Sequence, residues 1–172
     1  EPSTSELKSL LDMIAGETQR TSHLVNQLLT LARAEPGETP SGQPVNLHEI
    51  VGRDLRDWVQ RAVGKNIDLG FELEDAWILG EPLLLRELAA NLLDNALAYT
   101  QAGGSVTVRT GVRNGESVLE VEDNGPGIPE SEREKVFERF YRVAATGGEG
   151  CGLGLSIVSE IAGRHNARVD LA

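Results

Sequence analysis

The stretch from Glu120 to Val158 constrains the fold more than any other part of this chain. It opens Val121-Glu122-Asp123-Asn124-Gly125-Pro126-Gly127-Ile128-Pro129 and closes Gly150-Cys151-Gly152-Leu153-Gly154-Leu155-Ser156-Ile157-Val158. The first half reads as a strand that ends on an aspartate and leaves through a glycine turn. The second reads as a glycine loop feeding a helix. A strand-end carboxylate whose neighbours lack side chains leaves room for a planar base and can accept a hydrogen bond from its amino group. A glycine loop entering a helix aims backbone N–H groups and the helix dipole at phosphates. Each half supplies one part of a nucleotide site, and everything upstream reads as support or as a further wall of that pocket.

Composition narrows the choice. The formal net charge is -11, and a general nucleic-acid binder needs a basic face. A phosphate ligand therefore needs local compensation from a metal, a helix terminus or a few basic groups. Aromatic residues are only 4% of the chain, so the core must be built from Leu, Val, Ile and Ala. One cysteine, Cys151, excludes an internal disulfide. The given sequence has no apolar run of about 18 residues, and no signal-peptide pattern is read in it. It is expected to be soluble as given, without direct membrane contact, and compatible with being a soluble piece of a membrane protein.

Residues 1–35 read as a helix, with Leu7, Leu11, Ile14, Thr18, Thr21, Val25, Leu28 and Ala32 on a heptad seam. At 1.5 Å per residue such a helix would run for roughly 50 Å, too long to lie wholly on a small domain. It reads as a bundle helix pairing with another helix or chain, or as an amphipathic helix folded back on its own domain. The segment from Glu35 to Pro44 holds three Pro and two Gly. The linker is placed at 36–44, and the main domain at 45–172. Asn46 and Glu49 have capping-box spacing for a helix from Leu47 to about Val63, with Ile50, Leu55 and Trp58 inward. Lys65–Leu73 and Ala76–Leu79 read as strands. Pro82 starts a helix to about Tyr99 whose leucines, from Leu84 to Leu97, make a broad buried face. Val106–Thr110 and Ser117–Glu122 read as strands joined at Arg113-Asn114-Gly115. Ser131 and Glu134 repeat the capping-box spacing before a short helix. Leu153 to about His165 reads as the last helix, and Arg168–Leu171 as a strand. Hairpin-like strand pairs between helices imply an α/β sandwich, one mixed sheet with helices on one face.

Several residue groups carry chemistry. Asn91 and Asn95 lie at i and i+4 and share a helix face. Asn is a weak helix former, so two of them in a leucine-rich helix suggest that their amides are used; the plainer reading is two solvated side chains. Mg²⁺ takes oxygen ligands and is typically held by one or two protein groups plus phosphates and water. Five glycines between Gly147 and Gly154 make either a plain flexible loop or a lid that orders on phosphates. The spacing fits neither a Rossmann fingerprint nor a Walker loop. In Val136-Phe137-Glu138-Arg139-Phe140-Tyr141-Arg142, Phe137 and Phe140 are expected to anchor the base of the lid. Arg139 and Arg142 supply positive charge beside it, or else pair with nearby glutamates.

In order and spacing, these four groups resemble the N, G1, F and G2 boxes of the catalytic, ATP-binding domain of bacterial sensor histidine kinases. These belong to the wider ATPase superfamily with gyrase B, the ninety-kilodalton heat-shock chaperones and MutL. The resemblance covers about residues 45–171, and residues 1–35 resemble the second helix of the kinase dimerisation domain. It implies an α/β sandwich that uses ATP and Mg²⁺. Asp123, with Gly125 and Gly127 beside it, would bind the adenine amino group. Asn95 would ligate Mg²⁺, and Tyr99 would lie near the nucleotide. Arg142 would reach the phosphates with Arg139 close by. Gly150, Gly152, Leu153 and Gly154 would form the phosphate end of the lid. Asn91 stands where hydrolytic relatives carry a water-activating Glu, which fits an enzyme that donates the γ-phosphate to a histidine.

The chain also departs from the family pattern. Ala98 replaces a usual Lys or Arg before Tyr99, Cys151 a usual Ser or Thr, and Asn166 a usual Gly. The family's last strand is not found before Ala172, so the sheet is expected to lack an edge strand. His23, His48 and His165 are the histidines, and none stands in the family's acceptor motif. The resemblance thus implies a protein-histidine kinase fragment that does not label itself. Its partners would be its own dimerisation domain with the acceptor histidine, and a response regulator. The full-length protein would be a homodimer, with this piece the cytoplasmic portion of an inner-membrane sensor. Two other readings stay open: an ATP-hydrolysing conformational switch, and a degenerate non-catalytic interaction module.

Overall fold

The computed structural model describes residues 42–143 and 151–171, together with Met13, Val25 and Leu29, which are helical. Apart from those three, the expected bundle helix and its seam lie outside the described residues. So do most of the linker and Gly147, Gly148 and Gly150.

Strand β1 (Gln43–Asn46) begins within the segment expected to be linker. It pairs antiparallel with β3 (Trp77–Gly80), with Pro44 opposite Leu79. Proline is tolerated there because this is a two-stranded ribbon with free edges. Asn46 ends β1 and caps α1 (Leu47–Gly52). Its side-chain oxygen accepts the His48 N–H at 3.2 Å and the Ala76 N–H at 3.1 Å, while its amide donates to Asp75 at 2.8 Å.

The single helix expected from Leu47 to Val63 is two, α1 and α2 (Leu55–Gly64). Gly52 and Asp54 are weak helix formers. The Asp54 carbonyl restarts the chain by accepting the Asp57 and Trp58 N–H groups. The Asp54 carboxylate takes a two-pronged ion pair from Arg86, each contact 2.6 Å. Both pieces still turn an apolar residue inward: Ile50 is 2% exposed and Trp58 3%. Leu55 is only half-buried. Asn66, at φ +56°, ends α2, with the Ile67 N–H on the Ala62 carbonyl at 2.9 Å. This helix-stop geometry keeps Lys65–Ile67 out of the strand expected there, and β2 is Asp68–Leu73.

Helix α3 (Pro82–Tyr99) matches the expected span closely. Strands β4 (Ser105–Arg113) and β5 (Glu116–Asp123) form a hairpin in which Arg113 pairs with Glu116. Its two turn residues, Asn114 and Gly115, have φ +55° and +84°, as the tight hairpin turn requires. β2 joins β4 in parallel, giving the order β2-β4-β5. β2 and β3 are therefore not a hairpin, and the strands divide into a three-stranded mixed sheet and a separate ribbon.

Val106 and Val108, with Leu69, Phe71, Leu119 and Val121, pack against Ile50, Trp58, Leu85, Leu93 and Leu97. The alternate residues make a polar outer face. There Arg109 reaches Glu72, Glu120 and Glu122 at 2.7, 3.1 and 2.6 Å. Helices thus cover one face of the sheet, as expected of this α/β sandwich. Helix α4 (Gly154–Arg164) lies on another flank of α3, where Leu153, Ile157 and Ile161 pack with Leu84 and Leu88. Asn166 adopts φ +51° after α4, with the Ala167 N–H on the Ala162 carbonyl. Asn tolerates this left-handed position, so the loss of glycine there is structurally mild.

Two further expectations are corrected. The short helix after Ser131 is a pair of 3-10 turns, Glu130–Glu132 and Lys135–Phe137, neither with a side-chain cap. Arg168–Leu171 is not a strand. It has no ladder partner: Arg168 pairs with Glu116 and Asp170, and the Leu171 carbonyl accepts from Arg133.

Candidate functional site

Helix α3 carries one wall of the site. Asn91 is 6% exposed, and its amide donates to the Glu87 carbonyl one turn earlier at 2.8 Å. The solvated reading therefore fails for Asn91. Asn95, one turn on, is half-buried. It faces the start of α4 so closely that a Cβ on Gly154 would stand 3.1 Å from both polar atoms of its amide. One further turn along, the Tyr99 carbonyl backs onto the turn after β5, 3.1 Å from where a Gly125 Cβ would be. One helix thus touches both halves of the stretch that opened the sequence.

Asp123 is the last residue of β5 and is exposed. Its Oδ1 accepts the Gly125 N–H at 2.9 Å, an Asx-type turn that fixes the carboxylate at the strand end. Asn124 holds the strand end from the other side by accepting the Ser105 N–H at 2.8 Å. Gly127 has φ +69° and open space around it.

The base of the glycine loop is closed by a backbone hydrogen bond, from the Phe140 N–H to the Gly152 carbonyl at 2.8 Å. Gly152 has φ +75°, and a Cβ there would meet Phe140 and Tyr141 backbone at 2.7 Å. Only glycine fits. Leu153 is fully buried and secures the start of α4. Phe140 is no anchor: it is 63% exposed with φ +67°. The buried member of that segment is Val136. Tyr141, just before Arg142, donates its hydroxyl to the Glu132 carboxylate. That contact raises the Tyr141 pKa and lowers that of Glu132.

Arg139 lies 4.0 Å from Glu160 on α4, and Arg142 is exposed at the loop base. Cys151 packs beside the Leu153–Ile157–Ile161 cluster, as a small tolerated residue would. His165 is engaged by the protein: Nε2 accepts the Glu81 N–H at 3.0 Å, and Nδ1 lies 2.8 Å from the Ile161 carbonyl. The sequence reading missed this contact and the Tyr141–Glu132 pair. The signal for the first was Gly80-Glu81-Pro82, a glycine just ahead of a helix start, whose missing side chain makes room for the ring. No group of three or more His, Cys, Asp and Glu side chains could hold a metal among the described residues. No helix among the described residues is long and apolar enough to cross a membrane.

The family of histidine kinase-, DNA gyrase B- and HSP90-like ATPases matches residues 80–172, more than half of the chain. The chain belongs to that family. It is 40% identical over 161 residues to the sensor protein kinase PmrB of Pseudomonas aeruginosa, covering 92% of this chain and 34% of PmrB. The solved mycobacterial sensor histidine kinase MprB is 34% identical, with a TM-score of 0.64 over 73% of this chain and 80% of that one. Full-length ShkA, crystallised with AMPPNP, is 26% identical and superposes with a TM-score of 0.75 over 95% of this chain and 35% of its own. The chain spans 34% of the length of PmrB, 40% of the sensor protein CutS of Streptomyces coelicolor and 27% of the drug sensory protein A of Synechocystis. It therefore carries an ATP-binding domain of the histidine-kinase type, similar to that of two-component sensor kinases.

Proposed function

We propose that this domain holds Mg·ATP between α3, the end of β5 and the start of α4, and presents the γ-phosphate to a histidine nitrogen from outside this chain. The observation that carries the reading is the double contact of α3, with Asn95 against Gly154 and Tyr99 against Gly125 beside Asp123. In this reading Asp123 accepts the adenine amino hydrogen, with Gly125 and Gly127 leaving room for the ring and Tyr99 nearby. Gly150, Gly152, Leu153 and Gly154 give the phosphates backbone N–H groups at a helix start. Arg142, with Arg139 beside it, supplies positive charge. Asn95 would hold Mg²⁺ through its amide oxygen. When bound, the metal neutralises charge on the transferring phosphoryl group.

The protein's own contribution is positioning and electrostatic stabilisation. Asn91 is an amide and cannot serve as a carboxylate base for water. That supports transfer to a histidine over hydrolysis, because the imidazole nitrogen attacks without such a base. His165 has both ring nitrogens occupied, which supports an acceptor supplied from elsewhere. In the longer protein the partners are its own dimerisation domain, with residues 1–35 as the second helix, a second copy, and a response regulator. The domain occupies the cytoplasmic portion of an inner-membrane sensor.

Calorimetry with Mg·AMPPNP tests the site. The unaltered chain binds, and Asp123→Ala binds about 10- to 100-fold more weakly, the scale of a lost hydrogen bond to a charged group. Mixing with a separate acceptor-helix fragment and labelled ATP gives an acid-labile, base-stable label on the fragment and none on this chain. No binding by either form, or steady phosphate release without an acceptor, overturns the reading.

A further inference from the structure

Helices α3 and α4 meet at both ends, and the two meetings differ in kind. At one end Gly154 faces the Asn95 amide, in the site itself. At the other end Arg164 and His165 close on the junction of β3 and α3. His165 Nε2 accepts the Glu81 N–H at 3.0 Å. Its Nδ1 lies 2.8 Å from the Ile161 carbonyl, which can only accept, so one neutral tautomer satisfies both contacts. Arg164 places Nε at 3.1 Å and Nη2 at 2.8 Å from Glu81 Oε1. Gly80 is pressed onto the ring: a Cβ there would stand 2.7 Å from His165 Cδ2 and 2.9 Å from Nε2. Glu81 precedes the first turn of α3 and makes no side-chain cap hydrogen bond of its own.

Between these ends the contact is apolar, made by Leu84 and Leu88 against Leu153, Ile157 and Ile161. Hydrophobic contact is non-directional and tolerates sliding; hydrogen bonds have narrow geometry. A slip of one residue would move Gly154 by about 1.5 Å along the helix and turn it by roughly 100°. We infer that His165, with Arg164 and the bare Gly80, forms a positioning latch for the phosphate end of the site. It fixes the register of α4 on α3 from about 16 Å away, the length of α4, and so sets how Gly154 meets Asn95. The base end, at Asp123 on β5, is outside its reach.

This inference rests on the ATP reading above. The test uses the whole chain and the variants His165→Ala, His165→Gln, His165→Asn and Gly80→Ala. A glutamine carbonyl reaches the position of Nε2 and can take the Glu81 N–H; an asparagine is too short and mimics only the Nδ1 side. Affinity for AMPPNP is measured by calorimetry with and without Mg²⁺, alongside circular dichroism and thermal melting. His165→Ala, His165→Asn and Gly80→Ala are expected to weaken Mg·AMPPNP about five- to tenfold and to blunt the gain that Mg²⁺ gives. His165→Gln restores both. If the unaltered chain binds and these variants bind with unchanged affinity and unchanged Mg²⁺ dependence, the latch is overturned. Weakening that is equal with and without Mg²⁺ and tracks the fall in melting temperature overturns it too, as general destabilisation. Failure of the unaltered chain to bind overturns the ATP reading itself.

Discussion

At the scale of single residues, the site is held by small polar contacts whose partners the sequence does not announce. Asp123 and the glycines around it were readable because a carboxylate at a strand end and residues without side chains leave a local pattern. The Tyr141–Glu132 contact spans nine residues and two turns, and no periodicity points to it. It has a titration signature. The contact holds the Tyr141 hydroxyl above its ordinary value and the Glu132 carboxyl below its own. The stability from Tyr141 is full below the unfolded tyrosine pKa and is lost as pH rises through the raised folded value. That from Glu132 is present above the unfolded carboxyl pKa and is lost as pH falls through the lowered folded value. Tyrosinate absorbance on a Tyr99→Phe background, which leaves Tyr141 as the only tyrosine, should show a delayed titration that Glu132→Gln returns to the ordinary range. An unchanged curve on Glu132→Gln would show that the carboxylate is not what holds the hydroxyl.

At the scale of elements, what was readable followed the density of the pattern. The leucines of α3 and the Asn114-Gly115 turn specify their elements locally, and both lie where expected. β1 was hidden in a proline-rich segment, because its strand character comes from pairing with β3 and not from its own residues. The tail from Arg168 to Leu171 shows the converse: an alternating pattern without a ladder partner makes no strand. The break between α1 and α2 falls at Gly52 and Asp54, and the Arg86 that pairs with Asp54 lies on α3, so that contact is not foreseen from the helix itself. Asn46, the last residue of β1, ties it to α1 and to the approach to β3, since its oxygen accepts N–H groups from His48 of α1 and from Ala76 just before β3 while its amide holds Asp75. Asn46→Ala should cost about 2–4 kcal/mol, combining a lost cap with a buried N–H left unpaired, seen as a lower denaturant midpoint. Asn46→Ser should recover part of it. Asp75 titrates below its ordinary value, first because of the Asn46 hydrogen bond and then because of His48. Its contribution is present above the unfolded carboxyl pKa and lost as pH falls through the lowered one, so Asn46→Ala should also flatten the acid limb of the stability curve.

At the scale of the whole molecule, α3 divides two apolar clusters of unequal size. The larger joins α3 to α1, α2 and the sheet. The smaller joins it to α4 through four buried residues. Free energies of local opening follow buried contact, so α4 should open without the rest, with the latch at His165 slowing it. This split was not readable in advance, because Leu84 and Leu85 are neighbours in sequence yet serve different clusters. It would also suit the proposed function: the helix that begins the proposed phosphate end could adjust while the proposed base end stays fixed on β5. Two truncations separate the cases. Leu93→Ala, at a fully buried position of the larger cluster, should cost about 2–5 kcal/mol and lower hydrogen-exchange protection throughout the domain. Ile157→Ala, fully buried in the smaller cluster, should lower protection in α4 while leaving β4 and β5 nearly unchanged. Mg·AMPPNP should restore α4 protection in that variant, since a ligand held at Gly154 and Asn95 binds only the closed form and stabilises it by mass action. If Ile157→Ala instead lowered protection uniformly across β4, β5 and α4, the domain would open as a single unit, and α4 could not act as a separately adjustable wall of the site.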